Sequence, residues 1–254
     1  SAIWSADHAT MADFPARYLV QFFKHHGMLS VNERPTWRVI KGGSQRYMEK
    51  LIAPFHDRIR VNARVESVVR RPESVEIRLA DGNGGGSTRV DHVIIATHSD
   101  QALAMLADPS PREREILGAI PYQDNEAVLH TDASLLPRCR RAWAAWNYHL
   151  LPTQPDRAVV TYHMNRLQGL SAPQELCVTL NHTDAVDPAK MLRRITYHHP
   201  VYSPQAVAAQ RRHGEISGVN RTSYCGAYWG FGFHEDGVKS ALSVCRPFGK
   251  DLSS

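Results

Sequence analysis

Cysteine is scarce in this chain of 254 residues: Cys139, Cys177, Cys225 and Cys245 lie far apart, with no Cys-x-x-Cys pair. That spacing disfavours a zinc ribbon or a redox dithiol and, at this length, a disulfide framework. A reducing cytoplasm is the expected location. No apolar run approaches the roughly 18–20 residues of a transmembrane helix, and the N-terminus lacks a signal-peptide layout. The histidines, among them His130, His149, His163, His182, His198, His199 and His234, include no His-Glu-x-x-His spacing, so no metal site is expected. His198 and His199, neighbours on a strand, would project to opposite faces and could not chelate together. Excess charge of one sign is also small, 30 Lys+Arg against 25 Asp+Glu. The basic clusters Arg138-Cys-Arg-Arg141, Arg193-Arg194 and Arg211-Arg212 are short and lack interleaved aromatics, which disfavours nucleic-acid binding. With 43% hydrophobic and 22% charged residues, the composition is that of a globular protein with a real core.

What the chain does contain is concentrated near its C-terminus, in Gly226-Ala-Tyr-Trp-Gly-Phe-Gly-Phe-His-Glu-Asp-Gly-Val-Lys-Ser-Ala241. Glycines and aromatics run into an acidic pair, and Val238 to Cys245 reads as a helix. A glycine-rich turn feeding a helix leaves backbone N–H groups unpaired, a geometry suited to a phosphate, a ribityl chain or a flavin carbonyl edge.

Upstream, apolar residues at Phe14, Tyr18, Leu19, Phe22 and Phe23 predict an amphipathic helix over 11–26, closed by Gly27. Trp37 to Ile40 reads as a strand, Lys41-Gly-Gly-Ser44 as a turn and Gln45 to Phe55 as a helix. Strands are expected at Ile59–Val69, Ser74–Leu79 and Val90–Thr97, the last a nearly continuous apolar run typical of a buried central strand. Asp81 to Gly86 sits between strands and lacks phosphate-loop spacing, so it reads as a hairpin loop. Helices are expected at 100–106, 112–117 and 204–212. Strands at 126–131, 142–148, 158–163, 176–180 and 195–199 would form an antiparallel or mixed sheet.

Together, Trp37–Ser44, Val61–Val68 with Val93–Thr97, and Gly226–Ala241 resemble the flavin-dependent amine oxidase superfamily, which includes monoamine-oxidase-like and phytoene-desaturase-like enzymes. The resemblance implies an α/β (α+β) fold: an incomplete FAD-binding, Rossmann-like domain over 1–110 and 217–254, and a mixed-sheet substrate domain over 111–216. It implies FAD contacts at Gly42 and Gly43 near the isoalloxazine, at Val65 beside the adenine, and at Ala96 and Thr97 where a central strand ends. In the last motif it implies Gly226, Trp229, Glu235, Asp236, Gly237 and Val238, with the helix end stabilising charge on the reduced flavin. Glu235 would bond a ribityl hydroxyl or cap the helix.

The family's N-terminal Gly-x-Gly-x-x-Gly unit is missing, and Ser1-Ala-Ile-Trp4 reads like the interior of a protein, so a processed chain or a fragment is expected. The isolated chain should bind FAD weakly or not at all, and by itself is expected to be inactive. Flavin carries the chemistry in such enzymes, hydride transfer from a C–N or C–C bond, and no general base stands out. The substrate is a small molecule, an amine or an apolar, lipid-like compound, with Tyr148, Tyr162 and Tyr197 as possible pocket lining. Two other readings stay open: a non-catalytic interaction module, and one subunit of a split flavoenzyme.

Overall fold

The computed structural model describes residues 3–4, 11–32, 35–36, 38–80, 86–152 and 157–252. Two compact units divide the chain, Ser1–Arg58 with Gln123–Val201, and Ile59–Tyr122 with Tyr202–Ser254. The division differs from the one expected at 110 and 217. Residues 111–122 and 202–216 group with the strands at 65–95 because Ile116, Leu117, Ala209 and Ile216 share one apolar cluster with Val68, Val75, Ile95 and Tyr224. The first 58 residues group instead with the middle of the chain.

The first unit contains helix α1 (Ala16–His25), whose Tyr18 and Phe22, four apart on one face, are buried. Trp4 packs on Phe22 with ring centroids 4.8 Å apart. Gly27, at φ +63°, takes the left-handed conformation that ends the helical segment. Helix α2 (Gln45–Ile52) follows the Gly42–Gly43 turn and buries none of its side chains. The core of this unit is a five-stranded sheet built of strands β5 (Tyr122–His130), β6 (Trp146–His149), β7 (Val159–His163), β8 (Cys177–Leu180) and β9 (Met191–Pro200), ordered β6-β7-β8-β5-β9. Pairs β6–β7, β7–β8 and β8–β5 are antiparallel. Helix α5 (Met164–Gln168) links β7 to β8. On one face Val159, Thr161, His163, Cys177, Thr179, Val128 and His130 are all buried.

The second unit holds a meander of β1 (Val65–Arg70), β2 (Val75–Leu79) and β3 (Gly86–Val90), and a parallel pair of β4 (Val93–Ile95) and β10 (Thr222–Tyr224). Around them lie helices α3 (Ser99–Met105), α4 (Pro111–Gly118), α6 (Pro204–Gln210) and α7 (His234–Cys245). The start of α4 is legible in sequence: Ser110 caps the Glu113 N–H, Glu113 returns the bond to Ser110, and Pro111 opens the helix. Glu113 also anchors a buried ion pair. Its carboxylate meets the Arg70 guanidinium, and the Tyr224 hydroxyl donates to it at 2.6 Å. This joins β1, α4 and β10 through side chains that are almost wholly buried.

Several expected elements change. The strand expected over 90–97 is two strands, with β3 in the antiparallel meander and β4 in the parallel pair. Asp91 and His92 break the run. The strand expected from Ile59 begins only at Val65, after a turn with Asn62 at φ +55°. Residues 38–40 are irregular, and Trp37 lies outside the described residues, as does 81–85 of the expected hairpin loop. The C-terminal helix begins at His234, four residues earlier than expected, so Asp236 and Gly237 fall within its first turn. Among the described residues, no helix is long and apolar enough to cross a membrane, and no group of three or more His, Cys, Asp or Glu side chains could hold a metal ion.

Candidate functional site

The parallel pair β4–β10 fixes the geometry of the second unit. Parallel strands finish at the same end of a sheet, and in α/β sheets ligands gather there. Here that end carries Ala96-Thr97 after β4 and Cys225-Gly226 after β10. The Cys225 N–H donates to the Ile95 carbonyl at 3.0 Å, which holds the two ends in register. The Gly226 N–H then donates to Ser240 Oγ in α7 at 2.7 Å, and the Ser240 hydroxyl donates to the Gly237 carbonyl at 3.3 Å. The ends of β4 and β10 and the first turn of α7 therefore form one hydrogen-bonded assembly. Val65 belongs to the same apolar cluster as Ile95, Tyr224 and Trp229.

The glycines of the turn are dictated by space. A Cβ on Gly226 would collide with the Tyr228 ring, and one on Gly230 with the Asp236 carboxylate. Gly232 sits at φ +92°, and a Cβ there would lie 2.5 Å from the Tyr202 hydroxyl. The main chain is thus folded tightly against its own aromatic and acidic side chains. Gln210 clamps the turn by donating to the carbonyls of Tyr228 and Gly230 at 2.8 and 2.7 Å.

The acidic pair of the motif divides its work. Asp236 accepts from the Phe233 N–H at 3.1 Å and so caps α7. Glu235 is exposed and pairs with Lys239 at 3.4 Å. Two carboxylates in the first turn offset the positive end of the helix dipole. Val238 is also exposed.

Two clefts adjoin these residues. One, of about 510 Å³, is lined by Arg64, Val65, Glu66 and Ala80 on one side and Gln101, Ala104 and Met105 of α3 on the other. The β1–β2 register slips between Val65 and Ser67, leaving Glu66 as an extra residue at the cleft. The other, of about 270 Å³, is lined by Trp229, Gly230, Asp236, Lys239, Ser240 and Ser243 with Gln210 and His213. Trp229 packs edge-on against His213, ring centroids 4.5 Å apart. Burial drives the Tyr228 phenol far above its ordinary pKa, keeping it neutral. The structure places Val65 in the first cleft, and Trp229 and Asp236 in the second. Ala96, Thr97 and Gly226 line neither.

Gly42 and Gly43, at φ +83° and +84°, form a turn in the first unit, with the Gly43 N–H donating to the Ile40 carbonyl at 2.9 Å. The sequence reading missed Ser240, Gln210 and the α3 residues Gln101, Ala104 and Met105. Ser240 had a faint signal, a small polar residue one turn into a helix behind a glycine-rich turn. Gln210 and the α3 residues had none, because only the tertiary fold brings them to the motif.

The sequence model of the flavin containing amine oxidoreductase family matches residues 2–130. Among solved structures, a cyclohexylamine oxidase from Brevibacterium oxydans IH-35A is similar over 98% of this chain and 63% of its own, with TM-score 0.63 and 11% identity. A conjugated-linoleic-acid-producing fatty acid isomerase from P. acnes is similar over 81% and 52%, with TM-score 0.57 and 17% identity. A putrescine oxidase triple mutant is similar over 82% and 52%, with TM-score 0.53 and 11% identity. At these identities the likeness is one of fold. The chain spans less than two thirds of the length of each of these structures. No curated protein matches the sequence.

Proposed function

Because this chain belongs to the flavin containing amine oxidoreductase family, we propose that it supplies the substrate-side and flavin-side portion of an FAD-dependent oxidoreductase. The observation that carries this reading is the hydrogen-bonded convergence of Ile95 at the end of β4, Cys225–Gly226 and the first turn of α7. The residues fit the cofactor. The main chain at Gly226 is held close beside the ligand end of a parallel pair, and a cleft opens at Val65, where the resemblance expects adenine. Backbone groups of Val65 would hold the adenine edge, and Thr97 and Gly226 would lie along the chain that joins the two halves of the cofactor.

The electrostatics of α7 narrow its role. With Asp236 and Glu235 in its first turn, this helix end is poorly suited to a pyrophosphate, which would meet two carboxylates. It suits the neutral, hydroxyl-bearing ribityl chain, with Glu235 free to exchange Lys239 for a hydroxyl. The phosphate anchor then lies in polypeptide outside these 254 residues, in the same protein or on a separate chain. FAD, when bound, supplies the hydride acceptor for oxidation of a C–N or C–C bond. The chain's own contribution is to orient cofactor and substrate and to exclude water, and it needs no dedicated base.

The substrate is proposed to be a small amine or an apolar, lipid-like molecule, in line with an amine oxidase and a fatty acid isomerase both sharing the fold. The test is spectroscopic. The intact protein should show flavin absorbance near ~450 nm that bleaches anaerobically with its substrate. The 254-residue chain alone should bind FAD weakly. A tight, stoichiometric yellow complex of this chain alone overturns the missing-anchor reading, and an intact protein that never binds flavin overturns the enzymatic one in favour of an interaction module.

A further inference from the structure

Four adjacent strands of the five-stranded sheet each contribute one polar side chain to a continuous row on the buried face. His130 of β5 contacts Thr179 Oγ1 of β8 through Nε2 at 2.7 Å. Thr179 contacts Thr161 Oγ1 of β7 at 2.9 Å, and Thr161 contacts His149 Nε2 of β6 at 2.9 Å. His130, Thr179 and Thr161 are fully buried, and His149 stands half-buried at the edge strand. The row runs in sheet order from β5 to β6.

The direction of every bond in this row is determined. The Asp132 N–H donates to His130 Nδ1 at 3.1 Å, so that nitrogen is an acceptor and neutral His130 carries its proton on Nε2. His130 therefore donates to Thr179. The Thr179 hydroxyl proton has one side-chain acceptor, Thr161 Oγ1, and leaving it unbonded in a fully buried site would be costly. Thr161 then donates to His149 Nε2, and His149 holds its own proton on Nδ1. The ionisable groups facing the row are Asp132, itself held by Lys190, and His182, whose ring centroid is 6.3 Å from that of His149. Cys177 and His163, the latter bonded to Glu175, stand opposite one another on the same face.

We propose that this row is a proton-operated latch on edge strand β6. Adding a proton at His149 Nε2 turns that atom from acceptor to donor. The Thr161 oxygen can accept from that donor, but its own hydroxyl proton must turn away, and one buried O–H loses its acceptor. The row is weakened at its outer end, where β6 keeps the bond from Asn147 Nδ2 to the Thr161 carbonyl at 3.1 Å but holds His149 against an unpaired hydroxyl. Strand β6 carries Trp146 and Tyr148 on its exposed face, with Trp146 packed edge-on against Tyr162, centroids 5.2 Å apart. Acid therefore loosens an aromatic surface of this unit.

The test is nitrogen-15 NMR of the histidine rings, combined with amide hydrogen exchange, on the whole 254-residue chain. At about pH 8, where free imidazoles are neutral, His149 should show its proton on Nδ1 and His130 on Nε2. Lowering the pH to about 5 should speed exchange at the amides of 146–149 by about tenfold beyond the chemical change, the factor expected for one lost hydrogen bond. Thr161→Val should give the fast exchange at both pH values, and Thr161→Ser should restore the response. A proton on Nε2 of His149 at the higher pH overturns the proposal, and this reading needs no variant to fold. So does a Thr161→Val chain that keeps the pH response.

Discussion

Ser240 is the residue on which the candidate site turns. Its hydroxyl accepts from Gly226 and donates to Gly237, tying the end of β10 to α7 with one side chain. Ser240→Ala leaves the Gly226 N–H without that partner and should cost about 1–2 kcal/mol of stability, read as a lowered denaturant midpoint. In the intact protein it should also weaken FAD binding, because the turn loses its tie to the helix. Gly232→Ala is a sharper perturbation, combining left-handed backbone with a Cβ 2.5 Å from the Tyr202 hydroxyl. A melting temperature equal to the parent's would contradict this packing. The motif's glycines were legible in the sequence as a turn. Which side chains they make room for was not, since Tyr202 is thirty residues away and reaches the turn through the fold.

At the scale of elements, the Glu113 carboxylate holds β1, α4 and β10 together. Burial pushes its pKa up, but hydrogen bonds from Arg70, Tyr224 and Ser110 outweigh that and keep it below the ordinary 4.5. Glu113→Ala leaves the buried Arg70 guanidinium with Asp108 as its remaining partner and the Tyr224 hydroxyl without its acceptor, and should destabilise the second unit by about 3–5 kcal/mol, the usual cost of breaking a buried pair. Chemical denaturation followed by Trp229 fluorescence measures it, and a loss under 1 kcal/mol, below the range for a buried pair, would show the pair to be solvated. The Ser110-Pro111 start of α4 could be read from sequence because capping is local. The split of 90–97 into β3 and β4 could not. Val90 and Val93 are both apolar, and only their partners, β2 for one and β10 for the other, separate them.

Across the whole molecule, ionisation makes two acid-sensitive windows. In the first unit, burial lowers the pKa values of His130 and His149, with His182 adding to the effect on His149. A histidine whose folded pKa is depressed gives stability that is complete above its ordinary 6.5 and is lost as pH falls through the folded value. Glu113 in the second unit obeys the same sign around a lower point, with stability complete above 4.5 and lost below it. Urea titrations between about pH 8 and pH 3 should therefore show the signal of Trp143 and Trp146 weakening at a higher pH than that of Trp229, as the two ordinary pKa ranges require. Coincident loss of both signals near the carboxylate range would contradict the histidine assignment.

The sequence alone determined most element types, the glycine-rich turn before the C-terminal helix and the flavoprotein resemblance, because capping, periodicity and turn chemistry act within a few residues. Tertiary structure decided what those pieces meet. It placed β4 beside β10, brought Ser240 to Gly226, assigned Asp236 to the helix cap and left Glu235 exposed. It also grouped residues 1–58 with 123–201, a partition that no local signal marks. The physical reason is that strand pairing, buried polar contacts and packing join residues well apart in the chain, from Gly226 and Ser240 to β4 and β10, or select among chemically similar neighbours, and local sequence encodes neither choice.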